Sequence, residues 1–176
     1  GLDQDIKNLY RAIYIDSEEK IWLASPDKGW MYFHNNKFHN ITDDPELKNI
    51  EVRYISENKA GKIFFGTLGN GLYIYQKGKL TNINNQKGLP SNWIYSIYFD
   101  ANDQMFLGTA NGLYTQIDGE YKSFGQNIGS TINSITEDNF GNLWLASTTG
   151  LYRVNKKTQK TEHLTTTFGL HHDFIN

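Results

Sequence analysis

No cysteine occurs in the 176 residues, which excludes disulfides, zinc–thiolate sites and a cysteine nucleophile. Cysteine-free chains occur in every compartment, so location is not decided by this. An excess of one charge is also missing: the formal net charge is −2 and both signs are scattered. A basic face for nucleic acid or an anionic membrane is therefore not expected. No apolar run approaches the roughly 20 residues that span a bilayer, and Gly1 opens no signal-peptide pattern. No membrane insertion is expected of this segment. A start at Gly1-Leu2 instead of Met reads as a piece of a longer protein. A sustained helical period is lacking as well; residues 7–11 and Pro45–Asn49 are each expected to form one helical turn.

What is present is repetition. A small hydroxyl residue recurs at Ser25, Thr67, Thr109 and Ser147, with spacings of 42, 42 and 38 residues. Twelve positions earlier stand Ile13, Ile55, Ile97 and Ile135, and nine earlier Asp16, Asn58, Asp100 and Asp138. The runs IWLA, IFFG, MFLG and LWLA lead into the four hydroxyl residues. Gly29, Gly71, Gly112 and Gly150 follow, each before an apolar pair. A period near 42 suits a propeller blade better than a helical repeat.

Local chemistry agrees. In Asp138-Asn139-Phe140-Gly141 the Asp can bond its own downstream backbone and the Gly supplies positive φ, which is hairpin chemistry. Asn35-Asn36, Lys77-Gly78 and Asp118-Gly119 suit two-residue turns between third and fourth strands. Runs such as LWLA are apolar on both faces and must be covered on both, as stacked blades are. Fourth strands at 38–42, 80–84, 121–124 and 161–165 are more polar, as outer edges should be. The aromatic content of 14% fits pleated, half-buried strands. The fold expected is all-β: one propeller segment over 1–176, with four four-stranded antiparallel blades at about 9–43, 51–86, 93–126 and 131–167. The lead-in at 88–94 recurs at 169–175, so the chain stops in the phase where a fifth blade would begin.

The pattern D-x-x-G-x-[IL]-W-[IL]-[GA]-[TS]-x-x-G-L-[YF] resembles the two-component regulator propeller repeat. Asp138, Gly141, Leu143, Trp144, Ala146, Ser147, Gly150 and Leu151 carry the likeness, with the Gly88-Leu89-Pro90-Ser91 lead-in. It covers essentially the whole chain. The resemblance implies a periplasmic sensor region of a bacterial hybrid two-component system, whose membrane span and kinase module lie elsewhere in the parent. Typical inputs of such regions are glycans and their breakdown products, and they commonly act as dimers. Departures are Glu19 and Asp103 at the turn glycine, Trp30 for Leu, and one extra residue before Gly29 and Gly71. Seven blades would need roughly 290 residues, so the chain is read as a fragment, a closed four-blade ring, or a half that pairs with a second copy. Uncovered repeat faces favour a fragment that forms homo-oligomers or contacts further blades.

The period-fixed aromatics Trp22, Phe64, Phe106 and Trp144 read as core. Residues that break the repeat are the better candidates. In propellers the loops entering the inner strand and those joining second and third strands share one rim. Trp93 stands there where other copies have Leu9, Glu51 and Thr131. Its indole can stack on a sugar's C–H face or plug the loop against a neighbouring module. Arg11, Arg53, Tyr95 and Asn133 are equivalent first-strand positions near the same rim. An Arg there can fork onto a uronate or sulfate, or pair with an acid such as Asp44 or Glu51. Asn92, Lys28 and Asn70 complete the ligand-binding candidates, although turn propensity alone also accounts for loop-tip residues. Adjacent His171 and His172 point to opposite faces of an extended segment and cannot chelate one metal together. Asp100 to Asp103 lacks the Gly and distal Glu of a calcium loop. No metal, no cofactor and no catalytic constellation is expected. The leading reading is a non-enzymatic module sensing an oligosaccharide. The alternatives are a structural scaffold for protein contacts and, from another class, a propeller lyase or hydrolase.

Overall fold

The structure is a computed structural model and describes residues 11–25, 29–42 and 44–173. It is all-β, with four separate four-stranded antiparallel sheets in chain order. The first blade is β1 (Ala12–Ile15), β2 (Ile21–Ser25), β3 (Gly29–His34) and β4 (Lys37–Asn40). The second is β5 (Val52–Glu57), β6 (Ile63–Thr67), β7 (Leu72–Gln76) and β8 (Lys79–Ile83). The third is β9 (Ile94–Phe99), β10 (Met105–Thr109), β11 (Gly112–Ile117) and β12 (Glu120–Ser123). The fourth is β13 (Ile132–Glu137), β14 (Asn142–Ser147), β15 (Gly150–Asn155) and β16 (Thr161–Leu164). The inner strands β1, β5, β9 and β13 lie in a row, each against the next. The outer strands end one or two residues before the expected limits. Pro45–Asn49 forms a 3-10 helix, capped by Asp44 accepting from the Glu46 N–H. The turn expected at 7–11 falls mainly outside the described residues.

Core lies between blades, as apolar second strands require. Trp22, Trp30, Ile55 and Phe65 fill the first junction, with Trp30 stacked on Phe65 at 4.9 Å between ring centres. Phe64, Leu72, Ile94, Ile97 and Leu107 fill the second, and Phe106, Leu113, Ile135 and Leu145 the third. Trp22, Phe64 and Phe106 are buried as expected, but Trp144 is half-buried. Its face meets no further blade among the described residues, and Arg153 lies over its ring at 5.8 Å.

The repeated residues now have physical jobs. Three of the four recurrent hydroxyls close the loop between second and third strands: Thr67 donates to the Gly71 carbonyl at 2.7 Å, Thr109 to that of Gly112 at 3.0 Å and Ser147 to that of Gly150 at 2.7 Å. Ser25 Oγ is buried without a partner among the described residues. Asp138 accepts from the Phe140 and Asn142 N–H groups, both at 2.9 Å, and from the Trp144 indole at 2.9 Å. Asp16 holds Trp22 in the same way at 2.7 Å. Where Phe replaces that Trp, the turn side chain finds a partner in another blade. Asp100 accepts from Lys156 at 2.8 Å, and Asn58 donates to Asp103 at 3.1 Å. Glu19 and Asp103, standing at the turn glycine, both adopt left-handed backbone, with φ of 62° and 64°.

Candidate functional site

The rim carrying the candidates is tied together by a belt of hydrogen bonds. It alternates between segments entering an inner strand and loops joining second to third strands. Leu68 donates to the Glu51 carbonyl at 2.9 Å and bridges to Trp93, and Ala110 donates to the Trp93 carbonyl at 3.2 Å. Thr131 Oγ1 donates to the Ala110 carbonyl at 3.4 Å, and the Thr148 N–H reaches the Thr131 carbonyl at 3.2 Å. Main-chain groups are consumed in building this belt. The side chains of Glu51 and Trp93 are left to set its chemistry, while the Thr131 hydroxyl is itself part of the belt.

Two residues beyond each belt position the ladder breaks. Pairing slips between Val52 and Tyr54, between Ile94 and Ser96, and between Ile132 and Ser134. Arg53, Tyr95 and Asn133 are thus the extra residues of three β-bulges at one height on three neighbouring inner strands. A bulge lifts its residue out of the ladder and re-aims the side chain. Arg11 occupies the matching position just ahead of β1, and its guanidinium pairs with Glu51 at 2.9 Å. Arg53 is exposed and makes no ion pair among the described residues.

The remaining candidates separate. Trp93 is 49% exposed, and its indole lies over Gly69, where an added side chain would stand 3.8 Å from Cζ2. Asn92 is a brace: its Oδ1 accepts from the Asn85 N–H at 2.8 Å, and its carbonyl accepts from Gly69 and Gly71 at 3.0 and 2.9 Å. Asn70 lines a groove of about 530 Å³ with Tyr73, Asp44, Glu46 and Asn82, outside the row of bulges. Tyr73 was hidden by its place in the repeated apolar pair; it is half-buried, lines this groove and packs edge-on against Trp30 at 5.0 Å. Lys28 lies outside the described residues. The structure therefore brings Arg11, Arg53, Trp93 and Tyr95 onto neighbouring stretches of one rim, and leaves Asn70 to the side.

Titration is perturbed on the opposite rim. Hydrogen bonds from Asn142, with those from Trp144 and Phe140, hold Asp138 far below the usual carboxylate range. Burial pushes Asp100 up, but Lys156 and the Gln104 and Asn102 N–H groups outweigh it and leave the carboxyl below its ordinary value. Both carboxylates are spent on turns and blade junctions, so neither is a poised acid or base. Among the described residues no cluster of metal-ligating side chains occurs, and no helix is long and apolar enough to cross a membrane.

The family model of the two-component regulator propeller matches the chain at residues 88–111 and 128–149. These are the third and fourth copies, the two without the extra loop residue. None of the curated proteins matches the chain. Among solved structures it is similar to the extracellular domain of a protein described as a hybrid two-component system of B. thetaiotaomicron. The TM-score is 0.81 at 25% identity, covering 99% of this chain and 25% of that one. A second B. thetaiotaomicron extracellular domain, described as a one-component system, gives a TM-score of 0.75 at 23% identity, over 93% and 23% of the two chains. Virginiamycin B lyase of Staphylococcus aureus gives 0.66 at 16% identity, over 89% and 55%, and shares the fold alone. This chain thus spans about a quarter of the length of the two B. thetaiotaomicron proteins.

Proposed function

We propose that this chain is a ligand-recognition segment in the extracytoplasmic, periplasmic sensor region of a hybrid two-component signalling protein, and that its ligand is an oligosaccharide. The repeat match and the likeness to an extracellular sensor domain support the class. The observation that carries the ligand reading is Trp93, a half-exposed indole held on a hydrogen-bonded belt beside bulged, polar inner-strand residues. Aromatic faces with nearby hydrogen-bonding groups suit the C–H faces and hydroxyls of sugars. In this reading the segment binds its ligand without turnover. Binding would signal by favouring one arrangement of the assembled sensor, because a ligand shifts an equilibrium only by its differential affinity. Titration of the purified chain with plant and host glycan fragments tests this. One class should bind, and Trp93→Ala should weaken that binding with the melting temperature kept; unchanged affinity removes Trp93 from the site.

A specific observation favours a second reading, a scaffold for protein contacts. On the first blade Ile13, Ile15 and Phe38 are 68%, 62% and 61% exposed, whereas the equivalent Ile55 and Ile97 are buried against the preceding blade. Such a face suits further blades or a second copy of the chain. The two readings are compatible, since one uses a rim and the other a blade face.

A further inference from the structure

We infer, resting on the glycan reading above, that the junction of the second and third blades is built for an anionic sugar, with Arg53 taking its carboxylate or sulfate and Trp93 its ring. The repeat itself supplies the argument. At the junction of the first and second blades, Arg11 reaches across to the next blade's belt residue, Glu51, at 2.9 Å. Arg53 is the equivalent of Arg11 one blade further on, and Trp93 is the equivalent of Glu51. The repeat thus gives the second junction the same cation position, with an indole at the belt position that holds the carboxylate one junction earlier.

Arg53 is exposed at its bulge and has no ion pair or hydrogen bond among the described residues. The nearest belt carboxylate, Glu51, is already engaged by Arg11. Trp93 presents half of its indole to solvent, and its N–H has no partner among the described residues. A guanidinium forks onto a carboxylate or sulfate, and an indole face packs on sugar C–H groups. A uronate or sulfated sugar offers both at once. Its acid group fills the place that Glu51 fills one junction earlier. The following junction pairs Tyr95 with Thr131, which carry no charge, and the Thr131 hydroxyl is engaged by the Ala110 carbonyl, so no second cation meets the ligand there.

Calorimetric titration of the full 176-residue chain tests the inference with three probes: a galacturonic acid trisaccharide, a sulfated galactose oligosaccharide and their neutral galactose counterpart. At least one anionic probe should bind more tightly than the neutral one, and added salt should weaken it selectively. Arg53→Gln should weaken the anionic probe by about tenfold or more and leave the neutral one unchanged, as loss of a charged hydrogen bond implies. Trp93→Glu recreates the arrangement of the preceding junction and should abolish anionic binding without lowering the melting temperature. Preference for the uronate or for the sulfate identifies which acid group the fork takes. Equal affinity for charged and neutral probes, or a preference that survives Arg53→Gln, overturns the inference and leaves the glycan reading standing. Binding of no probe, nor of any other glycan, overturns both.

Discussion

Lys156 is the side chain that ties the third and fourth blades together by charge. It sits after β15 and carries its ammonium to Asp100 of the third blade, at 2.8 Å, and to Glu137 of its own blade, at 2.5 Å. Tyr98 adds a hydroxyl bond to Glu137 at 3.1 Å. Lys156→Met keeps most of the stem and removes the charge. Asp100, 5% exposed, then keeps its two backbone N–H bonds but has no counter-charge. Breaking a buried pair costs about 3–5 kcal/mol. Lys156 retains 19% exposure, which places this loss lower, at about 2–3 kcal/mol. For a chain of this size that lowers the melting temperature by about 5–10 °C.

The pH dependence has a defined sign. Asp100 has a depressed folded pKa, so its contribution is present above the unfolded value of about 3.9 and is lost as pH falls through the lower folded one. For Lys156, burial pushes the pKa down, but the bonds to Asp100 and Glu137 prevail and raise it. Its contribution is present below the unfolded value of about 10.4 and is lost as pH rises through the folded one. The gap between wild type and variant should be flat from about pH 5 to pH 10 and narrow below about pH 4. Thermal and urea denaturation followed by tryptophan fluorescence at pH 7 and pH 3 measures it. A loss under about 0.5 kcal/mol at pH 7, or one that grows as pH falls, refutes the reasoning.

Gly108→Ala should destabilise by about 1–3 kcal/mol, because overpacking forces its neighbours to move. A Cβ there would stand 2.1 Å from Ser96 Oγ and 2.6 Å from the Ile132 carbonyl; an unchanged urea midpoint would show that this junction is slacker than it looks. Glu19→Gly should stabilise by about 0.5 kcal/mol, since relief of left-handed strain slightly exceeds the added chain entropy. Asp103→Gly should do the reverse, because it loses bonds to the Lys59 N–H at 2.8 Å and Asn58 at 3.1 Å. Matching signs in paired melting curves would count against that distinction.

The fold was legible because the pattern reports it redundantly. The Ile, Asp or Asn, hydroxyl and Gly positions recur at closely similar distances, and in every copy they mark the same strands and turns. Turn chemistry was equally readable: Asn35 and Asn36 take the φ of 50° and 60° that a two-residue hairpin demands. The bulges were not readable, because Arg53, Tyr95 and Asn133 share no residue type that announces a slip in pairing. Their placement comes from the inner strand having one residue more than its partner uses. Cross-blade bonds such as Lys156 to Asp100 span 56 positions and depend on how blades stack, which the repeat spacing does not encode. Trp144 shows the limit of reading by period. Its position is that of a core residue, yet burial depends on a neighbour its own copy cannot supply.

Recognition of an oligosaccharide without chemistry on it is the claim on which the functional reading stands. Incubating the purified chain with a bound glycan fragment, and following both binding and the fragment's size by chromatography over hours, tests it in one experiment. Saturable binding with the fragment intact, weakened in Trp93→Ala, is the expected result. Shortened or unsaturated sugar products would contradict it and move the protein to the lyases and hydrolases that share its fold.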